Sequence, residues 1–193
     1  EEELGYSQQY YKHRTAHLVE IETDEGITGW GECFGPGNIA LANKFIVEKV
    51  IQPLIKGENP TNKEYIWHKV YNSLRDSGQK GMPIQAISGI DIALWDILSK
   101  KANLPLYQLL GGKCNNQIPV YGYGMMLQKK PVEQLIELFQ KEAKEIKEKN
   151  FKAMKMKIGI GPKDDLKLVK AVREAIGDDY KLMVDANHAY NLS

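Results

Sequence analysis

Cysteine is scarce in this chain, and long apolar runs and a leader-like start are missing. Only Cys33 and Cys114 occur among 193 residues, so there is neither a disulfide framework nor the ligand spacing of a metal-binding motif. We therefore expect reduced thiols and a cytoplasmic location. No uninterrupted apolar run approaches the roughly 20 residues that cross a bilayer, and the charged start EEELGYSQQYYKHR does not have the composition of a signal peptide.

An excess of one charge is missing as well. The 26 lysines and arginines nearly balance the 25 aspartates and glutamates, and no long run carries one sign. This balance argues against nucleic acid as a partner and against a polybasic membrane anchor. The length fits one large domain or two small ones, and the apolar content is typical of a soluble globular protein.

The first part of the chain predicts a small sheet followed by three helices. Residues 15–23 alternate between apolar and polar side chains, and ITGWGE follows the turn DEG, which predicts an antiparallel hairpin. Helical spacing then predicts a helix over 39–55, a second helix capped within Asn59-Pro60-Thr61, and a third over 82–101 that is buried on more than one face. This order predicts an α+β module. The inner positions that we predict include Leu41, Phe45, Val47, Val50, Ile51, Leu54, Tyr65, Ile66, Val70, Tyr71, Leu74, Ile90, Ile92 and Leu94.

The segment LLGGKCNNQ predicts a boundary, which divides the chain into residues 1–112 and 113–193. Beyond it, the strands IPVYGYGMML, FKAMKMKIG and YKLMVDAN alternate with two helices, the second capped by Asp164 or Asp165 and ended by Gly177. This alternation predicts a parallel sheet with right-handed crossovers. It fits either a doubly wound sheet or the start of a (β/α)₈ barrel, although a whole barrel takes about 250 residues.

Polar side chains lie at the C-terminal ends of two of these strands. Because side chains alternate along a strand, Lys155 and Lys157 share one face, and Asp185 and Asn187 share a face of the next strand. This end of a parallel sheet is where α/β folds build sites, and unpaired charge inside such a sheet would be costly. We interpret the four residues as an anion and metal site, in which a lysine of lowered pKa acts as a base. The alternative is a half-exposed edge strand, with Asp185 capping a loop.

The glycine-rich segment IGIGPKDD leads into the second of these helices. It resembles a phosphate-binding loop at a helix N-terminus. Because the full fingerprint is missing, we favour a simple turn between strand and helix.

Four segments together carry a family resemblance: VEIETDEGITGWGE, AISGIDIALWDILSKKANLPLYQLLGG, FKAMKMKIG and LMVDANHAY. They occur in the right order over almost the whole chain, which resembles the mandelate racemase/muconate lactonizing branch of the enolase superfamily. The resemblance implies an α+β capping domain (1–112) followed by an α/β, TIM-type barrel (113–193). Only the first three barrel strands are present, and the first strand of the cap is missing.

The resemblance also implies roles for individual residues. Asp185 matches the first of three carboxylate ligands of Mg²⁺, which is the implied cofactor. Lys157 matches the base that removes the proton α to a substrate carboxylate, and Lys155 matches the lysine that neutralises that carboxylate. Asn187 matches a polar group beside the carboxylate.

Aromatic residues in loops and at a strand end are further candidates. Cap segments close over the active site in this family, which implicates Tyr6–Tyr11, including Tyr11 as a substrate contact, and Phe34–Asn38; exposed loop aromatics are the alternative. One of Tyr121 and Tyr123 lines the pocket, and core packing is the alternative. Of the two, we predict Tyr123 as the substrate-binding residue.

We therefore expect a Mg²⁺-dependent enzyme that forms an enediolate from a small carboxylate, acting as a homo-oligomer. Acid-sugar dehydratase is the leading activity, and racemase/epimerase or cycloisomerase is the alternative. Because the family's other metal ligands lie on later strands, we expect these residues alone to be inactive and prone to aggregate through an open sheet edge. A different class remains open: a non-catalytic binding or assembly module whose open edge is covered by a partner.

Overall fold

The computed structural model describes residues 3–6, 9–35 and 37–192. They divide into two compact units, one formed by the described residues of Glu1–Lys12 and Gln117–Ser193, the other by those of His13–Asn116. The first twelve positions thus group with the C-terminal part of the chain. In the described part of the chain, no helix combines the length and apolarity that a membrane span needs.

The predicted hairpin, helices and parallel strands are present in the predicted order, but the sequence does not predict the two short strands at residues 4–6 and 9–11. The strands are β1 (Leu4–Tyr6), β2 (Gln9–Tyr11), β3 (His17–Glu22), β4 (Thr28–Cys33), β5 (Gly122–Tyr123), β6 (Leu127–Gln128), β7 (Ala153–Lys157) and β8 (Lys181–Asp185). The helices are α1 (Ile39–Ile46), α2 (Gln52–Ile55), α3 (Lys63–Leu74), α4 (Met82–Ala102), α5 (Leu106–Leu109), α6 (Val132–Glu148) and α7 (Pro162–Ile176). A π-helical segment, Val47–Ile51, joins α1 to α2, and a short 3₁₀ turn, Arg75–Ser77, follows α3.

In the unit His13–Asn116, the predicted hairpin of β3 and β4 is confirmed. The strands pair antiparallel, with Val19 opposite Gly31, and Gly26 turns the chain at a φ of 77°. Among the described strands β3 pairs with β4 alone, and a groove of about 650 Å³ borders its other edge. The missing first cap strand stays a prediction.

Helix α4 is the centre of this unit, and its predicted burial from several sides is confirmed. It packs on β4 and also contacts α1 and α3. Glycines allow the closest approach, since a Cβ on Gly31 would lie 2.0 Å from the carbonyl oxygen of Gly89. The prediction that Ile92 is buried is wrong: it is 44% exposed, because it lies on the side of α4 away from these contacts.

The predicted inner faces of α1 and α3 are partly wrong. Leu41 and Phe45 are exposed, whereas the stripe of Ala40, Asn43, Val47 and Ile51 is buried. Asn43 occupies an inner position although it is polar, because its amide donates a hydrogen bond to the Phe34 carbonyl at 2.8 Å.

Helix α3 begins later than its predicted cap. It starts at Lys63, and the Thr61 hydroxyl donates to the Asn59 side chain instead of capping the helix. Tyr65 is 55% exposed because it lies beside the stripe of Ile66 and Val70.

In the other unit, β5, β7 and β8 form the predicted parallel sheet, in the order β5-β7-β8. Lys155 lies opposite Met183, and Lys157 opposite Asp185. Helices α6 and α7 pack together with the apolar face of β7 to form the core. Its buried members are Met125, Leu127, Leu135, Phe139, Ala143, Ile146, Met154, Met156, Leu168, Val172 and Ile176.

Two details of this unit correct the sequence interpretation. The segment IPVYGYGMML is not one strand, because Met125 adopts a left-handed conformation with a φ of 52°. Beyond it, β6 leaves the parallel sheet and pairs with β1 in a three-stranded sheet, β2-β1-β6. Neither Asp164 nor Asp165 caps α7, which begins at Pro162 after Gly161; its predicted end at Gly177 is confirmed.

The close contact between β4 and α4 leads to a stability prediction. We expect Gly31→Ala to lower the free energy of unfolding of this unit by about 3 kcal/mol, because the new methyl group overlaps the backbone of α4. Exposed Glu32 on the same strand provides the control, and Glu32→Ala should stay within about 0.5 kcal/mol. Urea unfolding followed by tryptophan fluorescence measures both; equal stabilities of the two variants would contradict the packing argument.

Candidate functional site

The two lysines of β7 point to the face of the sheet opposite its helix-packed core. Met154 and Met156 are fully buried in that core. The alternation of the strand therefore puts Lys155 and Lys157 together on the other face. Lys157 is only 5% exposed although it carries a charge, so its partners decide what it does.

Asp185 joins the two lysines at the C-terminal ends of β7 and β8. Its Oδ2 atom lies 2.8 Å from Nζ of Lys157 and 3.2 Å from Nζ of Lys155. Asn187 completes the cluster: its Oδ1 accepts a hydrogen bond from Lys157 at 2.7 Å, and its backbone N–H donates to Oδ1 of Asp185 at 3.0 Å. The structure thus brings together four of the predicted site residues.

Electrostatics favour the charged forms of Asp185 and Lys155. Hydrogen bonding from Lys157, helped by the Asn187 amide and Lys155, lowers the pKa of Asp185 to about 2 from an ordinary 3.8. Hydrogen bonding with the Tyr121 hydroxyl, and then with Asp185, raises the pKa of Lys155. The neighbours of Lys155 therefore stabilise its ammonium form, and the expectation of a lysine base stays a prediction.

Aromatic rings surround the ammonium groups. Nζ of Lys155 lies 5.3 Å from the ring centroid of Tyr121 and 5.1 Å from that of Tyr123. Nζ of Lys157 lies 5.4 Å from the ring of Tyr6, which the β1–β2–β6 sheet carries over it, and 6.0 Å from that of Tyr123. These distances are in the range of cation–π contacts.

The predicted cap segments differ in where they lie. Tyr11 meets Tyr6 edge to face, with centroids 6.2 Å apart, so Tyr6 is the tyrosine of that pair that reaches the lysine. Residues 7 and 8 of this segment lie outside the described residues. Phe34–Asn38 belongs to the other unit, and Pro36 in it also lies outside the described residues.

Backbone contacts hold the strand ends in place. The N–H of Lys157 donates to the carbonyl of Met125 at 3.1 Å, and the N–H of Ile158 donates to the carbonyl of Asp185 at 3.1 Å. The carboxylate of Glu142 on α6 accepts the N–H of Met125, and the left-handed conformation of Met125 is unusual for a residue other than glycine. Sequence periodicity gives no signal for this turn.

The loop after β7 is a simple turn rather than a phosphate cradle. Buried Asp165 occupies its amides: Gly159 N–H donates to the carboxylate at 2.9 Å and 3.0 Å, and Ile160 N–H at 3.2 Å. The Tyr190 hydroxyl also donates to Asp165. The sequence pattern predicts only a capping role for Asp165 and no role for Tyr190. The available signal for the loop contact was an acidic residue soon after a glycine-rich loop.

The residues present fit Mg²⁺ as part of a site. Asp185 and Asn187 offer hard oxygen atoms, which Mg²⁺ prefers. The described residues contain no group of three or more His, Cys, Asp or Glu side chains that could hold a metal ion by themselves.

The lowered pKa of Asp185 gives a prediction about stability. Above about pH 4 the carboxylate is charged and the full stabilisation is present; it is lost as the pH falls toward about 2. We expect Asp185→Asn to be less stable than the wild type by about 1–2 kcal/mol at neutral pH and nearly equal to it at pH of about 2.

Urea unfolding followed by far-UV circular dichroism measures this difference. Trp30, Trp67 and Trp95 lie in the other unit, so unfolding of that unit, which the substitution does not touch, is the internal control. A stability difference that does not change with pH would contradict the ion-pair explanation.

Comparison with known proteins identifies the family. Residues 6–111 match the mandelate racemase / muconate lactonizing enzyme N-terminal domain, and residues 138–193 match the enolase C-terminal domain-like family. The chain is 44% identical over 181 residues to D-galactarolactone cycloisomerase from Agrobacterium fabrum, an alignment that covers 93% of this chain and 46% of that protein. It is 40% identical over 173 residues to arabinonate dehydratase from Saccharolobus solfataricus, covering 89% and 45%.

A solved structure agrees with this result. The crystal structure of a racemase from Streptomyces coelicolor A3(2) with bound magnesium superposes with a TM-score of 0.85 at 33% identity, covering 97% of this chain and 52% of that one. The chain thus spans about half the length of the relatives that it matches. The predicted fold, a capping domain followed by the first three strands of a TIM-type barrel, is confirmed over the doubly wound alternative. The chain belongs to the mandelate racemase/muconate lactonizing enzyme family of the enolase superfamily.

Proposed function

We propose that this chain is the first half of an enzyme that removes the proton α to the carboxylate of a small acid, with Mg²⁺ as cofactor. The observation that carries the proposal is the meeting of Lys155, Lys157, Asp185 and Asn187 at the C-terminal ends of two adjacent parallel strands. Parallel α/β folds build their catalytic sites at this end of the sheet.

The charge of the cluster supports a carboxylate as the substrate. Two ammonium groups share one carboxylate, and no other acidic side chain of the described residues forms an ion pair with either lysine. The cluster therefore carries one net positive charge in a partly desolvated place. An anionic substrate group would compensate that charge.

Each residue then has a role of its own. Lys155, whose raised pKa keeps it charged, would pair with the substrate carboxylate as negative charge develops on it. The amine of Lys157, once neutral, would take the proton from the α-carbon, and the electron pair left on carbon would spread into the carboxylate. Asn187 would orient the Lys157 side chain, Tyr123 and Tyr6 would exclude water from the lysines, and Tyr11 would support Tyr6.

Asp185, together with Asn187 as a candidate, would hold Mg²⁺ with ligands from the rest of the protein. The ion would supply Lewis-acid stabilisation of the charge on the substrate carboxylate. The magnesium in the racemase from Streptomyces coelicolor supports this assignment. A homo-oligomer is part of the same proposal.

Acid sugars are the substrate class that we propose, with dehydration as the reaction. The 40% identity to arabinonate dehydratase supports it. Cycloisomerisation is the second candidate, because the identity to D-galactarolactone cycloisomerase reaches 44% over a similar length. Racemisation or epimerisation of a carboxylate uses the same first step.

Exchange of the α-hydrogen in D₂O tests the proposed first step. The full-length protein with Mg²⁺ should exchange it in arabinonate, in D-galactarolactone or in a related acid. Lys157→Met should slow that exchange by roughly 10²–10⁴-fold, the usual loss for a general base. Exposed Lys152, just before the same strand, provides the control, and Lys152→Met should keep the wild-type rate. If the Lys157→Met variant still exchanges the α-hydrogen at the wild-type rate, Lys157 is not the base.

The chain by itself should be inactive and prone to aggregate. Strand β8 pairs with β7 alone among the described strands, and Val184 on it is 50% exposed. An open apolar edge pairs readily with other chains. Light scattering and the D₂O assay on residues 1–193 measure aggregation and activity. A monodisperse and active preparation would contradict this prediction. A monodisperse, inactive preparation in complex with a partner would favour a non-catalytic assembly module.

A further inference from the structure

Asp165 is a buried acidic residue that the proposed chemistry does not use. The residue is 5% exposed, and no lysine or arginine of the described residues forms an ion pair with it. A buried carboxylate is retained only where hydrogen bonds replace its hydration. Those bonds come from the backbone of Gly159 and Ile160 and from the Tyr190 hydroxyl.

These donors belong to two different loops. Gly159 and Ile160 lie in the loop after β7, whereas Tyr190 lies beyond the end of β8. Burial, and then the hydrogen bond to Asp165, raises the pKa of Tyr190, so its hydroxyl stays protonated and remains a donor. One carboxylate on α7 therefore ties both loops together.

Both loops begin at the reacting groups of the proposed site. Lys157 comes two residues before Gly159, and Asn187 comes three residues before Tyr190. The hydrogen bond of 2.7 Å between Lys157 and Asn187 depends on how these loops are set against each other. Displacement of a catalytic group by about 1 Å can reduce a rate by roughly 100-fold.

We propose that Asp165 and Tyr190 form a clamp that positions Lys157 relative to Asp185 and Asn187. Both are positioning residues, because they act through the two loops and do not touch the reacting atoms. This inference rests on the proposed function for its effect on catalysis, but the clamp itself can be measured without a substrate.

Asp165→Asn in the full-length protein is the main variant. An amide can accept with only one oxygen, and its NH₂ group would face the amide protons of the loop. Asp164→Asn is the matched control, because Asp164 is the neighbouring residue, has a side chain that is 41% exposed, and pairs with Lys167 at 2.7 Å. The change of residue is the same, but the loops are not touched.

Tyr190→Phe is the second variant, and it removes a single hydroxyl group. Tyr180→Phe is its control, since the Tyr180 hydroxyl donates to the Phe151 carbonyl at the opposite end of the sheet. Tyr190→Phe keeps the clamp testable even if Asp165→Asn fails to fold.

Hydrogen exchange of peptides covering 158–161 and 186–192 reads the clamp directly. Asp165→Asn should speed exchange in both segments, and Tyr190→Phe in the second segment, while both controls keep the wild-type rates. In an active enzyme the two variants should lower kcat by roughly 10–100-fold with KM nearly unchanged, as for residues that orient a catalytic group.

Faster exchange confined to 158–161 in Asp165→Asn would overturn the clamp, as would an unchanged segment 186–192 in Tyr190→Phe. An unchanged kcat in both variants would overturn its positioning role. If the wild-type protein exchanges no α-hydrogen with any acid, the proposed function fails, and exchange in the two peptide segments still decides the clamp.

Discussion

The sharing of one carboxylate by two lysines is the interaction on which the candidate site depends. Burial of Lys157 would be costly without Asp185, and the ordinary pairing of one cation with one anion would leave no charge for a substrate. The second lysine, Lys155, makes the cluster cationic and is itself held charged by its neighbours. The same arrangement that permits burial therefore prepares the site for an anion.

Side chains on two helices hold the backbone that carries this cluster. Glu142 on α6 holds the turn after β5, and Asp165 on α7 holds the loop after β7. In both cases an acidic side chain accepts backbone N–H groups that the end of a strand leaves without a partner. A parallel sheet gives its strand ends no regular hydrogen bonds, so the loops that carry chemistry need such support. Rigid support at the strand ends is compatible with a site whose distances matter to within about 1 Å.

Much of this arrangement could be predicted from the sequence, because it depends on local periodicity. Alternation along β7 puts Lys155 beside Lys157, and the repeated strand–helix pattern puts Asp185 on the next strand. Contacts that join distant segments were not predictable in this way. Tyr6 reaches Lys157 only because β1 pairs with β6 after the turn at Met125, and no periodic pattern encodes such a pairing. The buried Asn43 and the exposed Leu41 show the same limit, since a hydrogen bond from the Asn43 amide nitrogen to the Phe34 carbonyl accompanies a polar residue at the inner position of that helix.

Under the proposed function, the two halves of the full-length enzyme would divide the reaction between them. The base and the cationic groups that recognise a carboxylate lie on β7 and β8, so this half would determine which proton is removed. Dehydration, cycloisomerisation and racemisation differ in what happens to the electron pair afterwards, which depends on a second acid placed across the substrate. The relatives of this chain carry different activities while matching it along nearly its whole length. That is the result expected if the first step belongs to the matched half and the choice of product to the other.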